Sequence, residues 1–167
     1  MKKYLIIALA MTTLISCNSN ADMSLFKENK EIAKKYLASY ESPTDYENFV
    51  SMTDEKIEHQ SPMYGAGMVG YEKVLDQGNF YMSNFSDVSF NDARWLPGVD
   101  EETLKADGSV RVYGTWKGVS NASGKSFSVD GYHYFVIKEG KIFQSGDFFD
   151  ATGMVMAVEP DSQEEIE

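Results

Sequence analysis

The stretch Ser126 to Asp150, SFSVDGYHYFVIKEGKIFQSGDFFD, decides the fold. Phe127, Val129, Gly131, His133, Phe135 and Ile137 fall at every second position, so one face of a long strand carries apolar groups and a histidine. Glu139-Gly140 supplies a two-residue connection, the mark of a tight antiparallel hairpin. Lys141 to Phe149 reads as the returning strand, with Asp147 near its end.

Upstream, the period of two persists as far as Ser86. Val110, Val112, Gly114 and Trp116 mark a strand after the Asp107-Gly108 turn, and Asn121 to Gly124 turns it into the next. Val88 and Phe90 alternate, but Ala93, Trp95 and Pro97 follow in the opposite phase, which predicts a bulge near Asn91-Asp92. Before Ser86 the spacing is helical. Leu25, Phe26, Ile32, Ala33, Tyr36, Leu37 and Tyr40 line one face of a helix from about Ser24 to Tyr40. Ser42 as cap, Pro43 at the first position and Asp45 at the third predict a short second helix carrying Tyr46, Phe49 and Val50. A short strand around Lys56 to Gln60 follows, then a loop from Pro62 to Gly67. Gly70 starts a third helix with Tyr71, Val74, Leu75 and Phe80, weakened near its end by Gly78. Three helices, one early strand and then a meander define an α+β fold, with the helices packed on one face of a strongly twisted, mainly antiparallel sheet.

The amino end is a separate problem. Lys2-Lys3, an apolar run from Tyr4 to Ile15 and then Ser16-Cys17 make an export signal, because the run is shorter than the ~20 residues a membrane span needs. Leu14-Ile15-Ser16-Cys17 resembles the lipobox of bacterial lipoproteins, in which the cysteine thiol is acylated and becomes the new amino terminus. The resemblance implies a signal peptide over 1–16, lipidation of Cys17 with palmitate-type chains, and a lipid-anchored protein of the bacterial cell envelope with its domain outside the cytoplasm. Two or three acyl chains make such an anchor effectively permanent, at about 0.8 kcal/mol per buried methylene. The alternative is an ordinary signal peptide with an incidental cysteine.

Removing 1–16 takes away two of the fifteen basic residues and none of the twenty-six acidic ones, leaving a formal charge of −13. So acidic a chain does not suit nucleic acid, which selects clustered Lys and Arg. Residues 17–22 form a lipidated polar spacer, 23–158 a single domain, and 159–167 an acidic tail with no apolar periodicity that reads as disordered. Cys17 is the only cysteine, so no internal disulfide supports the fold, and ten Phe, ten Tyr and two Trp supply the apolar core. With only two histidines and no free thiol, no metal site and no cofactor are expected.

The order of elements, together with Val69-Gly70-Tyr71-Glu72-Lys73-Val74 before the third helix and Gly146-Asp147-Phe148-Phe149-Asp150 in the last strand, resembles the SnoaL-like branch of the nuclear transport factor 2-like superfamily. The resemblance covers about Met23 to Ala157 and implies a cone-shaped fold. Its members include polyketide cyclases, steroid isomerases, dehydratases and non-catalytic binding modules, so fold does not settle function. In the cyclase-like members an acid/base aspartate lies on the last strand, where Asp147 matches, and a histidine comes from an earlier strand, where His59 matches. Relatives often carry Trp before that aspartate; Gly146 stands here, which leaves open a widened pocket or a vestigial motif. The steroid-isomerase pattern fits less well, since Gln60-Ser61 occupies the place of its aspartate.

Asp147 with His59 or His133 is the one carboxylate–imidazole set suited to general acid/base chemistry. Each has a second reading: His133 as a core histidine with satisfied ring nitrogens, His59 as a surface residue at a strand end, and Asp147 as an exposed or backbone-capping acid. Tyr36, Trp95, Trp116, Phe135 and Phe148 are the candidate pocket lining, with core packing or a homodimer face as the alternative. Three functions remain open: binding of a small, mainly apolar ligand, cofactor-independent isomerase, dehydratase or cyclase chemistry, and a dimerising structural subunit.

Overall fold

The computed structural model describes residues 23–161; the expected signal peptide over 1–16, the expected lipidated spacer over 17–22 and the end of the acidic tail lie outside the described residues. α1 (Ser24–Ala38) buries Phe26, Asn29, Ala33, Tyr36 and Leu37, while Glu31 and Lys34 pair at 2.9 Å on its wet face. Its buried Asn29 is satisfied by donating to the carbonyl of Gly108 at 2.8 Å. α2 (Tyr46–Met52) is capped by Asp45, whose carboxylate accepts from the Asn48 N–H at 2.9 Å. The expected Ser42 cap is therefore corrected. Ser42 Oγ instead accepts from the Val88 N–H at 2.9 Å, a backbone donor freed where the sheet ladder breaks.

β1 (Thr53–Gln60), the two-residue β2 (Met68–Val69) and α3 (Tyr71–Asn84) follow, with Gly70 at the start of α3 as anticipated. Gly78 has a positive reason to be in this helix. A Cβ there would come within 2.5 Å of the Phe49 ring, so its absence lets α2 and α3 close together. β3 (Phe85–Val99), β4 (Ala106–Ser120), β5 (Ser126–Lys138) and β6 (Lys141–Phe148) form the meander, and α4 (Ala151–Ala157) ends the fold.

The six strands run in the order β2-β1-β6-β5-β4-β3, all neighbours antiparallel except β1 and β6. The bulge expected near Asn91-Asp92 is present: the β3–β4 register shifts between Asn91 and Arg94, with Asp92 at φ 55°. A second shift, between Ser86 and Ser89, coincides with Asp87 at φ 52°. Such extra residues bend a long strand and let the sheet curl around α1 and α3. Both residues of the Glu139-Gly140 connection have positive φ, as a tight hairpin requires. The core runs from Phe26 through Tyr36, Phe49, Val110, Val112 and Phe135 to Ile142.

Two elements were not anticipated. β2 consists of only two residues, Met68 and Val69, too few to show a period. α4 follows the Asp150 cap, which accepts from Gly153 N–H at 2.9 Å, and it lays Met154 and Val158 against Phe85. Among the described residues no helix is long and apolar enough to cross a membrane.

Candidate functional site

Strand periodicity puts Ser145, Asp147 and Phe149 on the inner face of the curled sheet, along with His133 and Phe135 from β5, Trp116 from β4 and His59 from β1. α1, the turn that follows it and α3 close the other side with Tyr36, Tyr40, Gln77 and Tyr81. The cavity, open on one side, measures about 60 Å³. One water needs roughly 10–15 Å³ on that measure, so the space suits a compact ligand of about four to six heavy atoms.

Asp147 lies between the two histidines. Its Oδ1 is 2.7 Å from His133 Nδ1, and its Oδ2 is 3.6 Å from His59 Nε2. Gln77 stands between the second pair: its Nε2 donates to Asp147 Oδ2 at 3.3 Å and lies 3.2 Å from His59 Nε2. Ser61 Oγ donates to Gln77 Oε1 at 3.0 Å, which fixes the amide. On the far side of His59, Nδ1 is 2.9 Å from Ser145 Oγ.

Donor and acceptor logic assigns the protons. An indole N–H only donates, and Trp116 Nε1 points at His133 Nε2 from 2.9 Å. His133 Nε2 therefore holds a lone pair, and its proton sits on Nδ1, aimed at the carboxylate. By the same reasoning the Gln77 amide faces a lone pair on His59 Nε2, whose proton is on Nδ1 toward Ser145. Burial pushes the Asp147 carboxyl up, but facing His133 and His59 and accepting bonds from His133 and Gln77 more than offset this. Its pKa falls below the ordinary value, and Asp147 is a carboxylate at neutral pH. Burial keeps the phenols of Tyr36, Tyr40 and Tyr81 protonated, with their pKa values raised.

His59, His133 and Asp147 thus converge, and the core reading of His133 holds together with the pocket reading, since the ring is buried and both its nitrogens are used. Tyr36, Trp116 and Phe135 line the cavity. Trp95 and Phe148 do not, and these two expectations are corrected. Trp95 lies opposite Val112, seven residues along β3 from Val88, the nearer of the two residues of that strand, Phe85 and Val88, that reach the cavity. That offset is about 20 Å of strand. Phe148 follows inward-facing Asp147 and so faces out, where its ring meets Tyr132 and Tyr134 at 5.6 and 6.3 Å. Gly146 faces out as well. It does not widen the cavity: a Cβ on it would lie 2.3 Å from Tyr134 Cε1.

The site residues that sequence reasoning missed are Gln77, Ser61 and Ser145. A signal for Gln77 was present, since Val74, Gln77, Gly78 and Tyr81 share the i, i+3, i+4, i+7 face of α3. Among the described residues no group of three or more His, Cys, Asp or Glu is arranged to hold a metal.

No protein-family model and no curated protein matches the chain at a significant level. Solved structures do. A protein from Bacillus subtilis proposed as an isomerase superposes with a TM-score of 0.67 at 16% identity, over 81% of this chain and 95% of that one. A proposed polyketide cyclase from Xanthomonas campestris gives 0.64 at 13% identity, over 81% and 100%. An NTF2-like protein from Burkholderia xenovorans gives 0.58 at 18%, over 80% and 97%. The chain has the NTF2-like fold, an α+β cone also adopted by SnoaL-like cyclases and ketosteroid isomerase-like proteins.

Proposed function

We propose that the domain binds a small, mainly apolar carbonyl compound in the cone and moves a proton on it, with Asp147 as base and His59 as the group that receives and returns the proton. The observation that carries this reading is one carboxylate held between two histidines, with Gln77 and Ser145 bonded to them, in a cavity walled mainly by rings and aliphatics. His133, fixed by Trp116, orients the carboxylate, while His59 Nε2 and Asp147 Oδ2 lie 3.6 Å apart, close enough to exchange a proton through a bound substrate. Isomerisation, dehydration and cyclisation all need this step and no cofactor. A thermal-shift screen of short ketones and hydroxyketones tests the binding half: stabilised hits that compete with one another are expected, and the absence of any hit would count against the cavity as a ligand site.

The export signal and Cys17 support placement of this domain on the outer side of a bacterial membrane, tethered by lipid. Acyl mass on a peptide beginning at Cys17 is the expected finding, and an intact amino-terminal methionine the contrary one. A second reading, self-association through the outer face of the sheet, is favoured by one observation. Tyr113, Tyr132 and Phe148 form a continuous ring surface across three strands, with centroids 4.8 and 5.6 Å apart, and Tyr113 and Phe148 are half exposed.

A further inference from the structure

We infer that the domain rests on the bilayer by the amino-terminal end of α1 and the β3–β4 hairpin, so that the mouth of the cavity faces water and not lipid. The inference rests on the proposed acylation of Cys17 and goes beyond it by fixing which end of the cone meets the membrane.

The tether is short. Five residues, Asn18 to Asp22, separate Cys17 from Met23, the first described residue. Fully extended, that length of chain spans about 20 Å. The chain enters the fold beside the start of β4: Leu25 lies over Gly108, where a Cβ would come within 2.5 Å of its Cδ2, and Asn29 bonds the Gly108 carbonyl.

The mouth is at the other end of the same strand. The cavity is sealed around Phe135, 1% exposed, and His133, 2% exposed. Its partly buried lining is Tyr40, Gln77, Val88 and Asp147 together with Tyr81, Phe127, Val129 and Phe149, and of these Tyr40, Val88 and Phe127 sit toward the end of the sheet away from Gly108. Phe127 pairs with Gly118, ten residues beyond Gly108 and so about 30 Å along β4. The tether is shorter than this distance, so the Gly108 end is the one held nearest the lipid.

That end also carries the aliphatic groups a bilayer surface accepts. Leu25, Val99 and Leu104 are 53%, 52% and 75% exposed, and Val99 pairs with Ala106, two residues from Gly108. Asp100, in the same turn, accepts from the backbone N–H and the hydroxyl of Thr103 at 2.8 and 2.7 Å, while Glu101 and Glu102 remain exposed. Against these acids the turn carries one exposed cation, Lys105, so its balance is negative and opposes an anionic surface, and the lipid this end fits is zwitterionic. The ligand then reaches the cavity from solution, which agrees with the cavity's small volume.

Leu104→Cys and Ala122→Cys test the orientation in the full-length acylated protein, since Ala122 is exposed in the β4–β5 turn at the opposite end and acylation consumes the Cys17 thiol. Each variant is labelled with an environment-sensitive fluorophore and reconstituted in phosphatidylcholine vesicles containing spin-labelled lipid. Quenching several-fold stronger at position 104 than at 122 is expected. Equal quenching, or stronger quenching at 122, would overturn the orientation while leaving the anchor intact. A sample whose mass shows no acyl group on Cys17 would overturn the anchor itself, and the orientation with it.

Discussion

Trp116 donates its indole N–H to His133 Nε2 at 2.9 Å, on the far side of the ring from the 2.7 Å contact between His133 Nδ1 and Asp147. A residue chosen by strand periodicity for the core therefore sets the tautomer of a site histidine. Nitrogen-15 spectra of the imidazole at neutral pH should show the His133 proton on Nδ1 and a bare, acceptor Nε2. A proton on Nε2 would contradict the relay. Trp116→Phe should lower stability in urea by at least the about 1–3 kcal/mol of a buried acceptor left without its donor.

The acid limb of stability follows from Asp147. Its folded pKa lies below the ordinary value of 3.8, so the carboxylate stabilises the fold at pH above that value, and the contribution is lost as pH falls through the folded pKa. The stability difference between wild type and Asp147→Asn should change in favour of the variant as the solution is acidified through the folded pKa of the carboxyl. Urea titrations of both proteins across the acid range measure it; a wild-type advantage that grows on acidification would reverse the assigned direction.

Gly146→Ala should cost about 1–3 kcal/mol, because its methyl group must displace the Tyr134 ring from the outer face of the sheet. Since this face lies away from the cavity, ligand-induced shifts in melting temperature should be unchanged. A variant that binds differently yet unfolds normally would place Gly146 on the wrong side of β6.

If the outer ring surface joins two copies, Tyr113→Glu should give a monomer in sedimentation experiments at concentrations where wild type is a dimer. A charge on a ring packed 4.8 Å from Tyr132 at a buried interface has no partner, whereas on a free surface it is harmless. Identical sedimentation of the two proteins would remove the self-association reading.

Much of this structure is legible in the order of residues because the sheet face is regular. The alternation from Phe127 to Ile137 places His133 inside, and the phase change after Phe90 marks the bulge. The same rule, carried one residue past Asp147, puts Phe148 outside, so that expectation failed on a principle already in hand. Other features have no periodic signature. Asp45 displaces Ser42 as the α2 cap because Ser42 is engaged with Val88, a contact spanning 46 residues. The seven-residue α4 is held by Met154 and Val158 packing on Phe85, and by Val158 O accepting from Ser123 Oγ at 2.6 Å. Gln77 is polar on a helix face otherwise read for its apolar groups, and its role appears only once β1 and β6 bring His59 and Asp147 to it.

The most direct test of proton transfer is deuterium uptake at the α-carbon of small ketones, followed by proton NMR with wild type and Asp147→Asn. The wild type should accelerate exchange of at least one ketone that also raises its melting temperature, and Asp147→Asn should lose about a hundredfold or more of that rate while still binding the ketone. Exchange by the wild type no faster than buffer, or equal rates for the two proteins, would contradict an acid/base role for the Asp147–histidine cluster.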